Sequence, residues 1–450
     1  VSTPRTTAAR SRQVVGAAAA GNVLEWFDFA LYGFFAVTIG QLFFPSTSPT
    51  ASLLAALAVF GVAFIMRPLG GVVLGRLADR TGRRPALTLS VLLMGVSTTL
   101  IACLPSHATI GVAAPLLLVA LRCVQGFSAG GEYAGATTYL LENAPSHRRG
   151  LWSSIISATS AIGVLLAGVV ALGATAWLTE EQVTAWGWRL PFLLAAPLAV
   201  VGLYIRYRLD DTPVFQELEA RDEVPQEPLR SLGRSGIGRI GLVFAATAVA
   251  GLGFYYLATY VVTHLTTVVG LGRTEALLLT IAGLAIYSLV CPLAGMSGDR
   301  WGRRPTILLG GLGLAVVAIP SFLLIGSGTP ALILIGLTAF AMFEALANVM
   351  LGLLLVELFP ARTRVSGSAI GFNLAQAAVG GPGPLVAATL AAGLGLPVAP
   401  AFYVVAVALL ATIALARYLP ETRGTDLITG TRSPAAAPAT GDLTTVEETR

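Results

Sequence analysis

Twelve stretches of this chain are apolar for long enough to cross a bilayer, and no other feature narrows the possible folds so sharply. A spanning helix needs about 20 predominantly apolar residues. The runs lie at 15–43, 52–77, 86–104, 113–140, 151–178, 188–207, 239–266, 274–297, 306–326, 330–356, 367–393 and 398–418. Inside hydrocarbon every backbone N–H and C=O must find a partner within the chain, so runs of this length read as helices and the fold class as all-α. Several exceed 20 residues, which allows tilt or ends that project into water. The balance of residue types agrees: 55% of the 450 residues are hydrophobic and 11% are charged. A soluble domain carries about 25% charged residues, so too little polar surface remains to cover a globule in water.

The charges are also placed in a pattern. All 28 basic residues are Arg, and the net charge is +5. They gather at the N-terminus, at Arg76, Arg80, Arg83 and Arg84, at Arg148 and Arg149, in the 208–238 connection, at Arg300, Arg303 and Arg304, at Arg362 and Arg364, and at the C-terminus. The intervening loops, at 44–51, 105–112, 179–187, 267–273, 327–329 and 394–397, hold only Arg273. The positive-inside rule puts both termini and the central connection in the cytoplasm of a cell inner or plasma membrane protein. An even number of spans agrees. Short basic clusters between apolar runs are a topology pattern, so a lipid bilayer is the expected surroundings and no nucleic-acid partner is expected. Arg5, Arg10 and Arg12 precede the first run, which reads as an uncleaved span. Cys103, Cys123 and Cys291 form no CxxC pair, and with three His in the chain neither a metal site nor a cofactor is expected.

Internal repetition organises the rest. GRLADRTGRRP at 75–85 returns as GMSGDRWGRRP at 295–305, so that Gly75, Asp79, Arg80, Gly82, Arg83 and Arg84 recur as Gly295, Asp299, Arg300, Gly302, Arg303 and Arg304. Each copy follows the second run of a set of six. The expected organisation is a six-helix bundle over 1–207, a cytoplasmic linker over 208–238, a second bundle over 239–420 and a disordered tail over 421–450. The glycines of the loop permit a tight turn, and its charges can pair with carboxylates such as Glu142, ending the fourth run, and Glu357, ending the tenth near Arg303 or Arg364.

This doubled loop resembles the signature of the major facilitator superfamily. GNVLEWFDFALYG at 21–33, RPLGG at 67–71, RCVQGFSAGGEYAGA at 122–136, WGWRLPF at 186–192 and DDTPVF at 210–215 narrow the likeness to the metabolite–proton symporters. FYYLATY at 254–260 and LGGLGLAVVAIPSFLLI at 309–325 are most similar to the proline/glycine-betaine–proton symporters. The resemblance covers roughly residues 20–422. It implies two six-helix pseudo-repeats around a mid-membrane site, proton-coupled import by alternating access, and a cytoplasmic latch in the doubled loop. The family also holds carriers of α-ketoglutarate, citrate and shikimate, so an organic acid is the alternative substrate. Small solute and protons are the expected partners, with no obligate protein partner. Neither enzyme nor channel is expected: no Ser/His/Asp set, HExxH, P-loop or filter motif occurs.

Buried charge then marks candidate residues, because an ion in the bilayer is costly and faces the bundle interior. Glu25 and Asp28 lie three apart on one helix face, a pair in which mutual repulsion favours taking up a proton. Glu132 is a further proton candidate. Arg122 lies about 15 Å of helix rise from it, ready to meet a substrate carboxylate or to pair with Glu25 or Asp28. The small stripe of Gly126 and Gly130 suits close helix packing. Tyr255, Tyr256 and Tyr260 either cradle a quaternary ammonium by cation–π contact or pack the core; Trp26 and Phe27 share that ambiguity. Glu344 and Asn348, four apart, suit a cationic group on the substrate or a second proton. His264 reads as structural and Arg67 as snorkelling to a helix end.

Overall fold

The computed structural model describes residues 4–207 and 210–432, helical almost throughout. Its twelve candidate spans are α1 (Gln13–Phe34), α2 (Ala51–Thr81), α3 (Arg83–Cys103), α4 (Ala113–Glu142), α5 (Ser146–Ala174), α6 (Glu180–Tyr207), α7 (Gly233–Thr267), α8 (Arg273–Trp301), α9 (Arg303–Ile325), α10 (Pro330–Glu357), α11 (Ala361–Leu394) and α12 (Ala399–Tyr418). The expected count is met, and the chain is an all-α, multi-pass membrane protein. α5, α6, α7 and α11 start five to eight residues before the apolar runs, because their first turns are polar and escape a hydropathy reading. The first run breaks at Phe35, and a separate helix, Ala36–Phe43, follows.

The two halves meet along a seam at which α2 packs on α11 and α5 on α8. A Cβ on Gly295 of α8 would stand 2.4 Å from the Gly150 carbonyl oxygen of α5, and one on Gly75 of α2 would stand 2.9 Å from Ser366 Cα of α11. The first glycine of each repeated loop is therefore a seam residue rather than a turn residue. The turns are made by Gly82 and Gly302, at φ +102° and +108°, where an L side chain is strained. Within the first half, a Cβ on Gly126 would meet the Ala63 carbonyl oxygen at 2.2 Å and one on Gly130 the Arg67 carbonyl oxygen at 2.2 Å, so the small stripe does carry the α4–α2 contact.

Two expected irregular segments are partly built. In the 208–238 connection, Thr212 caps a helix at Pro213–Ala220 whose Val214, Phe215 and Leu218 are buried, and α7 already begins at Gly233. Residues 421–432, expected as the start of a disordered tail, instead form an ordered strap. Its Asp426 accepts the N–H groups of Ile428 and Thr429, Thr425 bridges to Arg432, and Leu427 is buried. The strap is held by hydrogen bonds to the bundle, for which an apolar period is no guide. The remainder of the expected tail, 433–450, lies outside the described residues.

Candidate functional site

Three buried carboxylates in the first half each meet an arginine from another helix. Glu25 of α1 pairs with Arg67 of α2 at 2.7 Å. Arg67 also donates across the seam to Asn373 Oδ1 of α11 at 3.3 Å, with the rings of Phe29, Phe64 and Phe372 around its guanidinium at 5.3–5.9 Å. The snorkelling reading of Arg67 thus fails: its side chain is buried because a carboxylate, an amide and three rings replace water. Asp28 accepts from Thr98 Oγ1 and Gln125 Nε2, both at 2.8 Å, and faces Arg122 at 3.5 Å. Arg122 itself lies 3.5 Å from the centre of the Tyr32 ring. Glu132 pairs with Arg206 of α6 and accepts from Ser90. Glu25 and Asp28 therefore have separate cations, and the expected shared charge becomes two carboxylate–arginine pairs. Burying such pairs costs several kcal/mol per ion before their attraction offsets it, so three of them in one half need a reason beyond stability.

Beside these pairs the halves enclose a closed central cavity, lined by Trp26, Tyr133, Ser160, Phe254, Asn348 and Gln376 among others. It holds roughly one water molecule. Tyr133 of α4 stacks on Phe372 of α11, centroids 4.5 Å apart, which closes the floor across the seam. Asn348 accepts from Ser157 Oγ of α5 at 3.1 Å and from the Tyr133 hydroxyl at 3.4 Å, and donates to Glu344 Oε1 at 3.2 Å. Glu344 is fully buried and forms no ion pair among the described residues. Tyr255 borders the cavity through its contact with Trp26, centroids 5.6 Å apart.

The other expected contacts lie elsewhere. Tyr256 donates to the Pro400 carbonyl at 3.1 Å, and Tyr260 meets His264 at 3.4 Å, all grouped around Phe322 inside the second half. Arg122 takes one of its expected pairings, with Asp28, and lies over the Tyr32 ring. Sequence reasoning passed over Gln376, Asn373 and Arg206. A polar side chain inside an apolar run was the available signal for the first two. Gln376 also opens a π-helical turn, Gln376–Gly380, matched in α7 by Tyr256–Tyr260; such bulges gather at functional sites.

The repeated loops build a nearly two-fold ionic network at one end of the bundle. Arg83 donates to Glu142 at 3.1–3.2 Å, and Arg303 to Glu357 at 3.2–3.3 Å. Each Asp caps a helix of the opposite half: Asp79 accepts from the N–H groups of Val365 and Ser366, Asp299 from those of Gly150 and Leu151. The start of the following helix is capped from further along the chain, Arg83 and Arg84 N–H by Asp211, Arg303 and Arg304 N–H by Glu421. Arg364 crosses the seam to Glu142, and Arg149 crosses to Glu357 at 3.8 Å. Arg364 thus serves Glu142 and not Glu357. Arg80 and Arg300 are exposed, and the Arg300 carbonyl accepts from Arg423. The strap joins in, as the carbonyls of Thr425 and Leu427 accept from Arg149 and Arg364.

Comparison with known proteins places this architecture. Residues 14–236 match the family model described as "Sugar (and other) transporter", and residues 243–444 match "Major Facilitator Superfamily". The chain is 37% identical to the proline/betaine transporter of Salmonella typhimurium, covering 89% of this chain and 82% of that one. It is 37% identical to the glycine betaine/proline/ectoine/pipecolic acid transporter OusA of Dickeya dadantii, covering 98% and 88%. It is 36% identical to the ectoine/proline transporter ProP of Corynebacterium glutamicum, covering 90% and 83%. Among solved structures, the proton:xylose symporter XylE bound to 6-bromo-6-deoxy-D-glucose superposes with a TM-score of 0.79 at 20% identity, covering 94% of this chain and 99% of that one, a likeness of fold. With both halves matched and curated transporters aligned along most of its length, this chain is a member of the major facilitator superfamily.

Proposed function

We propose that the chain is a proton-coupled importer of a small zwitterion, proline or glycine betaine first, working by alternating access across the α2/α11 and α5/α8 seam. The names of its relatives support the substrate class. The observation that carries the mechanism is the set of buried carboxylate–arginine pairs beside the closed cavity. Glu25 is the foremost proton carrier, with Asp28 and Glu132 behind it. Protonating Glu25 removes the charge that holds Arg67, and Arg67 in turn holds Asn373 of the other half, so a proton loosens a contact across the seam. Glu344, Asn348 and Tyr255 take the substrate, while Arg122, Tyr256 and Tyr260 act as scaffold.

The ionic end then faces the cytoplasm, with both termini, and serves as the latch that is closed here. Asp79, Arg83, Glu142 and Arg364 form one clasp, and Asp299, Arg303, Glu357 and Arg149 the other. An organic acid would call for a cationic side chain on the cavity, whereas no arginine is among the described residues that line it, and Arg67 and Arg122 face Glu25 and Asp28. That observation favours the zwitterion.

Purified protein in proteoliposomes with an imposed inward proton gradient tests the reading, with labelled proline, glycine betaine, α-ketoglutarate and citrate compared side by side. Accumulation of proline or betaine, collapsed by a protonophore, is expected. Accumulation of the acids instead would overturn the substrate class, and uptake indifferent to the gradient would overturn the coupling.

A further inference from the structure

Among the described residues, the buried polar atoms without a hydrogen-bond partner include four at or beside the central cavity: Trp26 Nε1, Tyr255 Oη, Glu344 Oε2 and Gln376 Oε1. They come from both halves, on α1, α7, α10 and α11. Trp26 and Gln376 line the cavity directly. Tyr255 and Gln376 converge on one spot, since a Cβ on Gly380 would stand 3.3 Å from the Tyr255 ring and 2.2 Å from Gln376 Oε1. Glu344 Oε2 stands against Gly253, next to cavity-lining Phe254, where a Cβ would be 1.9 Å away. A buried polar group without a partner is destabilising in its own right, so four around one cavity describe what an occupant must supply.

The set divides by chemistry. Trp26 Nε1 can only donate, and the Tyr255 hydroxyl is free to donate; a carboxylate accepts from both. Glu344 Oε2 and Gln376 Oε1 accept, and Gln376 is neutral, so it rewards an N–H rather than charge alone. We propose that this site is built for a zwitterion whose cationic nitrogen carries N–H groups, and that it ranks secondary and tertiary ammonium substrates above fully methylated ones. The inference rests on the importer reading and deepens it. Glu344 balances either cation through space, and the rings of Trp26 and Phe254 attract either by cation–π contact. Only N–H groups satisfy these acceptors: a secondary ammonium offers two, a tertiary one offers one, and a fully methylated one offers none. A site made to hydrogen-bond a substrate N–H rejects the analogue that lacks it far more strongly than a methyl group alone is rejected.

The test is a methylation series with one carboxylate throughout: sarcosine, N,N-dimethylglycine and glycine betaine, with proline alongside. Binding to the full chain in detergent is read by tryptophan fluorescence, and uptake by competition in proteoliposomes. N,N-dimethylglycine is expected to bind at least about tenfold more tightly than glycine betaine. Glu344→Leu and Gln376→Leu, and Tyr255→Phe as a control on the carboxylate side, separate the two ends. The first two should narrow the ratio, while the third weakens all four ligands alike. Betaine binding as tightly as N,N-dimethylglycine would overturn the inference and leave the importer standing. Failure of every zwitterion to bind and to accumulate would overturn the importer reading, and this inference with it.

Discussion

The two halves share a helix plan and a signature loop yet have been put to different chemical uses. At the ionic end they are near copies: Arg83–Glu142 answers Arg303–Glu357, Asp79 answers Asp299, Asp211 answers Glu421, and the hydroxyls of Thr212 and Thr422 donate to Glu142 and Glu357 in turn. Within the membrane the likeness ends. The first half buries Glu25, Asp28 and Glu132, each with an arginine, whereas the second buries Glu344 with Asn348 and against Gly253, with no arginine paired to it among the described residues. A duplicated scaffold thus keeps its ionic network in both copies and differs in its buried charge, with three carboxylate–arginine pairs on one side and a lone carboxylate beside aromatic rings on the other.

The ionic end offers the largest way to break the comparison. Glu142→Ala takes the only paired carboxylate among the described residues from Arg364 and leaves Arg83 with Asp79 at 3.6 Å, both arginines fully buried, and is expected to cost about 3–5 kcal/mol. Glu357→Ala should cost less, because Arg303 keeps Asp299 at the shorter distance of 3.1 Å and Arg149, unlike Arg364, is not fully buried. Thermal unfolding in detergent ranks the two, and an equal loss would mean that the copies are interchangeable.

Within the membrane, Glu25→Gln is expected to reduce gradient-driven accumulation at least about tenfold, one decade per 1.4 kcal/mol of lost coupling, while counterflow exchange survives. Glu344→Gln should leave coupling intact and alter substrate preference. Were Glu344→Gln the uncoupled variant and Glu25→Gln the coupled one, the division between halves would be wrong.

At the seam, Gly295→Ala forces a methyl group onto the Gly150 backbone and should destabilise by about 1–3 kcal/mol. Gly75→Ala, with its nearest atom at 2.9 Å, should cost less. The same unfolding assay distinguishes them.

The smallest effect concerns the caps. Burial pushes the Asp211 carboxyl above its ordinary range, outweighing the N–H groups of Thr212 and Arg84 that favour its charge. A raised carboxyl favours the fold fully below its unfolded value, and that share is lost as pH rises through its value in the folded protein. Asp211→Asn should flatten this acid-side dependence and shift stability by less than about 2 kcal/mol. An unchanged pH profile would show that Asp211 is not the source.

What sequence alone determined is the part governed by solvent and repetition. Twelve apolar runs in a chain with so few charges leave only helices in lipid, and the two GRR loops declare a duplication with its polar end. The acids Glu25, Asp28, Glu132 and Glu344 were visible for the same reason, since a charge in a greasy run is conspicuous. Which arginine meets which acid was not visible. Glu25 and Arg67 are 42 residues apart and Glu142 and Arg364 are 222 apart, brought together by helix packing that leaves no local period. Nor could aromatic content tell Tyr255, beside the cavity, from Tyr256 and Tyr260 in the core: neighbours in sequence point to different sides of a helix, and a π-turn shifts the register further. The order of residues 421–432 belongs to the tertiary structure as well, because a strap held by carbonyls on distant arginines has no apolar signal of its own.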